Sequence, residues 1–194
     1  MNWKKHKEKW SNCQDCDLCE CRTRTVLGRG KIPCDILMIG EAPGMSEDTL
    51  GTPFIGPAGH LLDRIIDKSV PSWLRLAFTT LVACIPKDEE GNKVKEPPKK
   101  SIVACGDRLK DFIYLCKPKA IVLVGKLPAK HVPARLSFGK DLPWIDEDDC
   151  LEFTEIPHPA YILRADIYQR TMALKKSELA LADLVSLEKF HLDN

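Results

Sequence analysis

The sequence predicts an α/β fold: one domain of three layers, α/β/α, around a central, mainly parallel four-stranded sheet. Three observations carry this. Four short apolar runs recur along the chain, and the first three are nearly continuous rather than alternating, as in strands covered on both faces. Helical periodicities lie between them, and strand alternating with helix is the pattern of parallel strands joined by crossover helices. The length, 194 residues, suits one domain and is enough to bury a core without disulfide support.

The elements follow in order. Residues 1–12 form a polar lead-in or a short helix. A cysteine cluster, NCQDCDLCEC, comes next. Then RTRTVLGRGK gathers Arg22, Arg24, Arg29 and Lys31 around two glycines and reads as a basic loop. The first strand is residues 35–40. A helix begins near Ala58, with Leu61, Leu62, Ile65 and Ile66 in one apolar stripe. The second strand is 76–83, followed by a polar, proline-bearing loop over 86–100. A second helix is predicted over 101–115 and a third strand over 120–125. The fourth strand is 151–156. A C-terminal helix occupies 165–194, its pattern clearest from Asp166 to Phe190, with Leu174, Leu181, Leu184 and Leu187 as apolar positions.

Composition narrows the function. Twenty-nine Lys and Arg against 28 Asp and Glu leave a net charge of +1, which excludes a uniformly basic coat but allows a local basic groove. No window approaches the roughly 18 consecutive apolar residues of a membrane-spanning helix. The charged start, MNWKKHKEKW, has no apolar run behind it, so no secretory signal is read there. A cytoplasmic protein without a membrane partner is expected. Nine cysteines are then unusual. The count is odd and no export signal is read, so metal ligation or redox chemistry fits better than a disulfide framework. Cys34, Cys116 and Cys150 are expected to be buried small apolar residues.

The most informative string is GEAPGMSEDTLGTPFIGPAGHLLDRI, residues 40–65. It starts where the first strand should end, and ligand groups in open α/β sheets gather at the carboxyl ends of strands. Gly40 and Gly44 allow tight turns and close backbone approach. Glu41 is thereby held at a strand exit beside Ala42. Phe54 stands between two turns before a helix, an aromatic placed to stack on a flat ligand. Near the other end of the chain, IPHPAYILR, residues 156–164, sets His158 between two prolines, which fix the backbone around it.

Residues 40–65 resemble the first signature of the iron–sulfur uracil-DNA glycosylases, the family 4 branch of that superfamily. Residues 156–164 resemble the second signature, and CQDCDLCECRTRTVLGRG, residues 13–30, resembles the entry segment. The likeness spans roughly residues 13–165. It implies a uracil-DNA glycosylase-like fold and hydrolytic excision of uracil, or a related modified base, during base-excision repair. Glu41 and His158 become the catalytic residues. Gly40, Ala42, Phe54 and Thr80 become substrate-binding. Arg22, Arg24, Tyr161, Leu163 and Arg164 become DNA-binding, as an aromatic–apolar–basic loop is suited to wedge base steps and hold phosphates. Cys13, Cys16, Cys84 and Cys105 match the ligands of a [4Fe–4S] cluster. A structural zinc site is the competing reading, because four thiolates suit both metals, and Cys19 and Cys21 are alternative ligands. The partner is DNA, single- or double-stranded, and the protein is expected to be a monomer.

One position departs from the family. Its asparagine, four residues before the third cluster cysteine, reads the Watson–Crick edge of uracil. Here that position is Thr80, whose hydroxyl cannot offer an amide's paired donor and acceptor. A different base, relaxed selectivity, or a catalytically weak DNA-binding or regulatory relative are the alternatives this substitution raises.

Overall fold

In the computed structural model, which describes residues 1–87, 91, 94–135, 142–145 and 150–191, the apolar runs become strands as the pattern requires. The elements are α1 (Trp3–Trp10), α2 (Leu18–Cys21), β1 (Arg29–Gly30), β2 (Ile36–Gly40), α3 (Met45–Leu50), α4 (Pro57–Ser69), β3 (Leu76–Thr80), α5 (Lys99–Ala104), α6 (Gly106–Cys116), β4 (Ala120–Val124), α7 (Lys126–Arg135), β5 (Glu152–Ile156), α8 (Pro159–Arg164) and α9 (Ile167–Val185), with a final turn of 3₁₀ helix at Glu188–Phe190. The sheet order is β1-β3-β2-β4-β5. β2 through β5 run parallel, and β1 pairs antiparallel with β3.

The continuous apolar runs have a direct cause. Successive strand residues face opposite sides of the sheet, and both sides are covered. Ile36, Met38 and Val122 pack with Leu62, Ile65 and Leu181 beneath α4 and α9. Leu37, Ile39, Ile121 and Leu123 pack with Leu109, Phe112 and Ile113 of α6. Three layers follow.

Several expectations are corrected. The described sheet has five strands, not four. The extra one, β1, lies inside the segment read as a basic loop and is two residues long, too short to leave a periodicity. Gly30 is required there: it has φ +107°, and a Cβ would stand 2.3 Å from the Leu76 carbonyl oxygen. The second strand stops at Thr80 rather than residue 83. The helix expected over 101–115 is two helices meeting at Cys105. The C-terminal helix expected over 165–194 is preceded by α8 and ends at Val185; residues 192–194 lie outside the described residues. The lead-in is the helix α1, capped by the Asn2 side chain, which accepts from Lys5 N at 2.9 Å. Cys34 and Cys116 are buried as expected, whereas Cys150 is exposed. α3 and α7 have no counterpart in the sequence reading.

Candidate functional site

The parallel strands end around one open cavity of about 840 Å³. Each exit contributes. Glu41 follows β2, Thr80 closes β3, Gly125 follows β4, and Pro157 and His158 follow β5. This is the carboxyl edge where open α/β sheets place ligands. Gly40, buried at the end of β2, adjoins the cavity, and Ala42 lines it.

Glu41 is half-buried. Burial raises its carboxyl above the usual range, and the charge of Glu96 adds to the rise. His158 is held differently. Its Nδ1 accepts from Ala160 N at 3.1 Å, so the neutral ring carries its proton on Nε2. Burial lowers the His158 pKa and the Arg164 charge lowers it further. The ring is thus neutral at neutral pH, with a single N–H to donate. Gly125, with φ +101°, lets the ring in: a Cβ there would stand 3.1 Å from His158 Cβ.

Phe54 is buried with φ +56°, a left-handed conformation rare for an aromatic residue. Strain of this kind persists only where the surroundings over-determine it. They do so here. Its ring covers Gly40, where a Cβ would come within 2.5 Å of Phe54 Cζ. Its carbonyl accepts from Arg29 Nη2 at 3.3 Å, and Arg29 is itself paired with Asp63 at 2.7 Å. Arg29 therefore faces inward, not out from a basic loop.

Sequence reasoning missed Glu47. Its Oε1 accepts from Ile55 N at 3.0 Å and Gly56 N at 2.8 Å, and its Oε2 from Gly44 N at 3.1 Å. One carboxylate thus clasps the loop after β2 to the loop that carries Phe54. Its neighbour Asp48 accepts from Thr23 N at 2.8 Å and Lys87 Nζ at 3.0 Å. Burial acts to raise the Asp48 pKa, yet Lys87 and the Thr23 amide hold it below the usual range.

Thr80 is buried, and its hydroxyl donates to Val82 O at 2.8 Å. Thr80 lines the cavity, and with that hydrogen committed its Oγ1 keeps only acceptor capacity. On the rim, α8 starts at His158 and presents Tyr161 and Leu163 to solvent, with Arg164 at the cavity mouth. Arg24 is exposed. Arg22 is not free for the same purpose: its Nη1 donates to Cys84 Sγ at 3.3 Å.

Cys13, Cys16, Cys84 and Cys105 line a second, smaller cavity of about 20 Å³, together with Arg22 and Arg108. Cys19 and Cys21 do not line it. Among the described residues no three acidic, histidine or cysteine side chains already stand at metal-holding positions. Burial pushes the Cys84 thiol up to about 11, against the opposing pull of Arg22. Hydrogen-bond donors nonetheless stand near these sulfurs. Ala83 N donates to Cys105 Sγ at 3.4 Å, Arg22 donates to Cys84, and Arg108 Nε, which lacks an acceptor among the described residues, belongs to the same wall. The four thiols fit a thiolate-held metal centre in kind and number.

Residues 27–183 match the family model described as the uracil DNA glycosylase superfamily. The chain is 34% identical over 133 residues to a type-4 uracil-DNA glycosylase from Sulfurisphaera tokodaii, covering 68% of this chain and 58% of that relative. It is 32% identical over 130 residues to the type-4 uracil-DNA glycosylase of Pyrobaculum aerophilum, covering 67% and 64%. Against that of Thermotoga maritima it is 29% identical over 163 residues, covering 81% of each. The chain thus spans less than two thirds of the length of the first two relatives. Among the described residues, no helix is long and apolar enough to cross a membrane.

Proposed function

The chain belongs to the uracil-DNA glycosylase superfamily, and from that membership we propose that it hydrolytically excises uracil, or a closely related base, from DNA. The observation that carries the reading is the convergence of Glu41, Phe54 and His158 on one cavity. A carboxylate, a stacking aromatic and a fixed N–H donor are what cleavage of an N-glycosidic bond needs. The relatives' shared name, type-4 uracil-DNA glycosylase, favours this over a non-catalytic DNA-binding role.

The target nucleotide leaves the stack at a cost of a few kcal/mol and enters the cavity. Its base stacks on Phe54. As the bond from C1′ to the base breaks, the electron pair goes to the base and positive charge develops on the sugar. Glu41, ionised, stabilises that charge and orients the attacking water, accepting its proton as the water oxygen bonds to C1′. His158 Nε2–H donates to the oxygen of the leaving base, where negative charge collects. Preorganised electrostatics of this kind is often the largest catalytic term. Thr80 Oγ1, as an acceptor, suits the N3–H of uracil. Arg164 and Arg24 hold phosphates, while Tyr161 and Leu163 fill the space the base vacates.

Cys13, Cys16, Cys84 and Cys105 would hold a [4Fe–4S] cluster, or in the competing case zinc, which would tie the N-terminal segment to the turn after β3 and take no part in bond cleavage.

The test is base release from oligonucleotides carrying uracil opposite guanine, uracil opposite adenine, single-stranded uracil, hypoxanthine or modified pyrimidines, with Glu41→Ala as control. Uracil release that disappears in the control is the expected result. Release that survives both Glu41→Ala and His158→Ala would overturn the assigned roles. DNA binding without release of any base would favour the non-catalytic reading.

A further inference from the structure

We propose that Arg108 is a positioning residue for the base-reading end of the cavity, tying Thr80 and Glu41 to the helix that follows Cys105. The proposal rests on the glycosylase reading for its meaning, and on hydrogen bonds for its geometry.

Arg108 is 1% exposed. A buried guanidinium is costly unless its donors are met, and most arginines on amphipathic helices face water. Its acceptors here are a hydroxyl and two carbonyls. Nη1 donates to Thr79 Oγ1 at 2.7 Å. Nη2 donates to the carbonyls of Thr80 and of Leu81, the latter at 2.8 Å. These oxygens belong to the point where β3 stops and the chain turns. The amides of the same turn are committed to the neighbouring strand exit: Leu81 N donates to Gly40 O at 2.9 Å and Val82 N to Glu41 O at 3.4 Å. The turn is therefore clasped from two sides, by the backbone of Gly40 and Glu41 and by Arg108.

The other end of Arg108 explains why the clasp sits there. Its side chain belongs to the wall of the four-cysteine cavity, and α6 carries it one turn after Cys105, where Leu109 N donates to Cys105 O at 3.1 Å. One guanidinium thus spans the four-cysteine lobe and the peptide that presents Thr80. Only a planar fork serves three acceptors at once; a lysine ammonium on a flexible stem does not reproduce that geometry. By this route the cysteine lobe sets the position of the base pocket without touching the base.

The experiment uses the full chain, purified anaerobically, with Arg108→Lys, Thr79→Val and Thr79→Ser. kcat and KM for uracil release are measured beside the metal content, with the visible absorption where the metal is an iron–sulfur cluster, and the hydrogen exchange of residues 79–84. Misplacing reacting groups by about 1 Å costs on the order of a hundredfold, so Arg108→Lys is expected to lose about that in kcat/KM while retaining its metal. Faster exchange at Leu81 and Val82 is expected with it. Thr79→Val removes one Arg108 acceptor, and with it the hydroxyl's own bond to Leu27 O at 2.8 Å, without disturbing the charge; it is expected to lose about tenfold, with Thr79→Ser restoring both bonds and the activity, and faster exchange at Leu81 and Val82 in Thr79→Val decides the matter if Arg108→Lys does not fold. Unchanged kcat/KM and exchange in the variants would overturn the proposal, as would loss of activity only in step with loss of metal. If the unmodified protein releases no base, the glycosylase reading fails, and exchange alone decides Arg108: acceleration at Leu81 and Val82 supports the clasp, and none refutes it.

Discussion

Glu47 offers a perturbation whose size follows from the hydrogen bonds it makes. Its carboxylate receives three backbone amides, two on Oε1 and one on Oε2. Glu47→Ala strands all three. A stranded donor costs about 1–3 kcal/mol, but the open cavity beside them admits water and repays part of that loss. A net destabilisation of about 3–4 kcal/mol is expected, a fall in Tm of about 10 °C for a chain of this size. Glu47→Gln separates the contributions. Its amide oxygen can keep the Ile55 and Gly56 bonds, while its NH₂ meets the Gly44 N–H as donor against donor. About 1–2 kcal/mol should be lost, or about 4 °C. Both are measured by thermal and denaturant unfolding, with base release followed in parallel. Because Ile55 and Gly56 hold the strained Phe54 in place, the activity loss should be larger for Ala than for Gln. Equal losses in the two variants, or an Ala variant as stable as the parent, would refute the clasp.

Three further outcomes are expected. On the proposed mechanism base release needs Glu41 ionised and His158 neutral; Glu41 titrates above its ordinary range and His158 below its own, so kcat/KM should rise with pH on the acid side, through a limb set by Glu41 above the ordinary carboxylate range. Glu96→Gln, which removes a neighbouring charge that holds Glu41 up, should move that limb to lower pH, and activity that falls as pH rises through neutrality would mean that His158 works protonated. Thr80→Asn restores an amide's donor and acceptor and is expected to raise kcat/KM for uracil by about tenfold or more relative to other bases; an unchanged base preference would remove Thr80 from base reading. Cys84→Ser should lower the metal content, bleach the visible absorption and lower Tm, whereas full metal occupancy in that variant would dissociate Cys84 from the centre.

The legible parts of the molecule were those whose cause is local. Strands buried on both faces leave uninterrupted apolar runs, so β2, β3 and β4 could be read directly, while β5, half-exposed along most of its length, was legible from its place before His158. Glu41 and His158 stand in strings where glycines and prolines fix the backbone, and both line the cavity. What escaped depends on distant partners. β1 is two residues that exist only because β3 offers an edge. α7 carries Pro128 and Pro133, which argue against a helix, and it forms all the same against β4 and β5. In Met45–Leu50, Glu47 and Asp48 are adjacent acids on a short helix, a sequence that reads as a solvated turn; only the approach of Gly44, Ile55 and Gly56 shows that Glu47 points inward. Arg22 reads as a DNA contact beside Arg24, yet its charge is drawn to the Cys84 sulfur. Arg108 looks like the polar face of an amphipathic helix until the carbonyls of Thr80 and Leu81 are found opposite it.

Thr80 and Cys84 are four residues apart, one in the base pocket and the other in the cysteine cavity. Even a fully extended chain would separate their Cα atoms by at most about 14 Å, and this segment is turned, not extended. The turn has no regular ladder of its own. Its Leu81 and Val82 amides are held by Gly40 and Glu41, its Thr80 and Leu81 carbonyls by Arg108, its Val82 carbonyl by the Thr80 hydroxyl, and its Ala83 carbonyl by Val26 N at 2.7 Å. A change in how Cys84 and Cys105 are held must therefore be taken up either by these few bonds or by the pocket itself. On the proposed reading, that coupling would give a metal held by the four cysteines a use even though bond cleavage needs none. It also orders the expected losses: removing Arg108's fork should reach the base pocket while the four cysteines keep their metal, and removing Cys84 should disturb both. The reverse order, with pocket activity intact after loss of the metal and lost only with Arg108, would place the anchor of the turn in α6 alone.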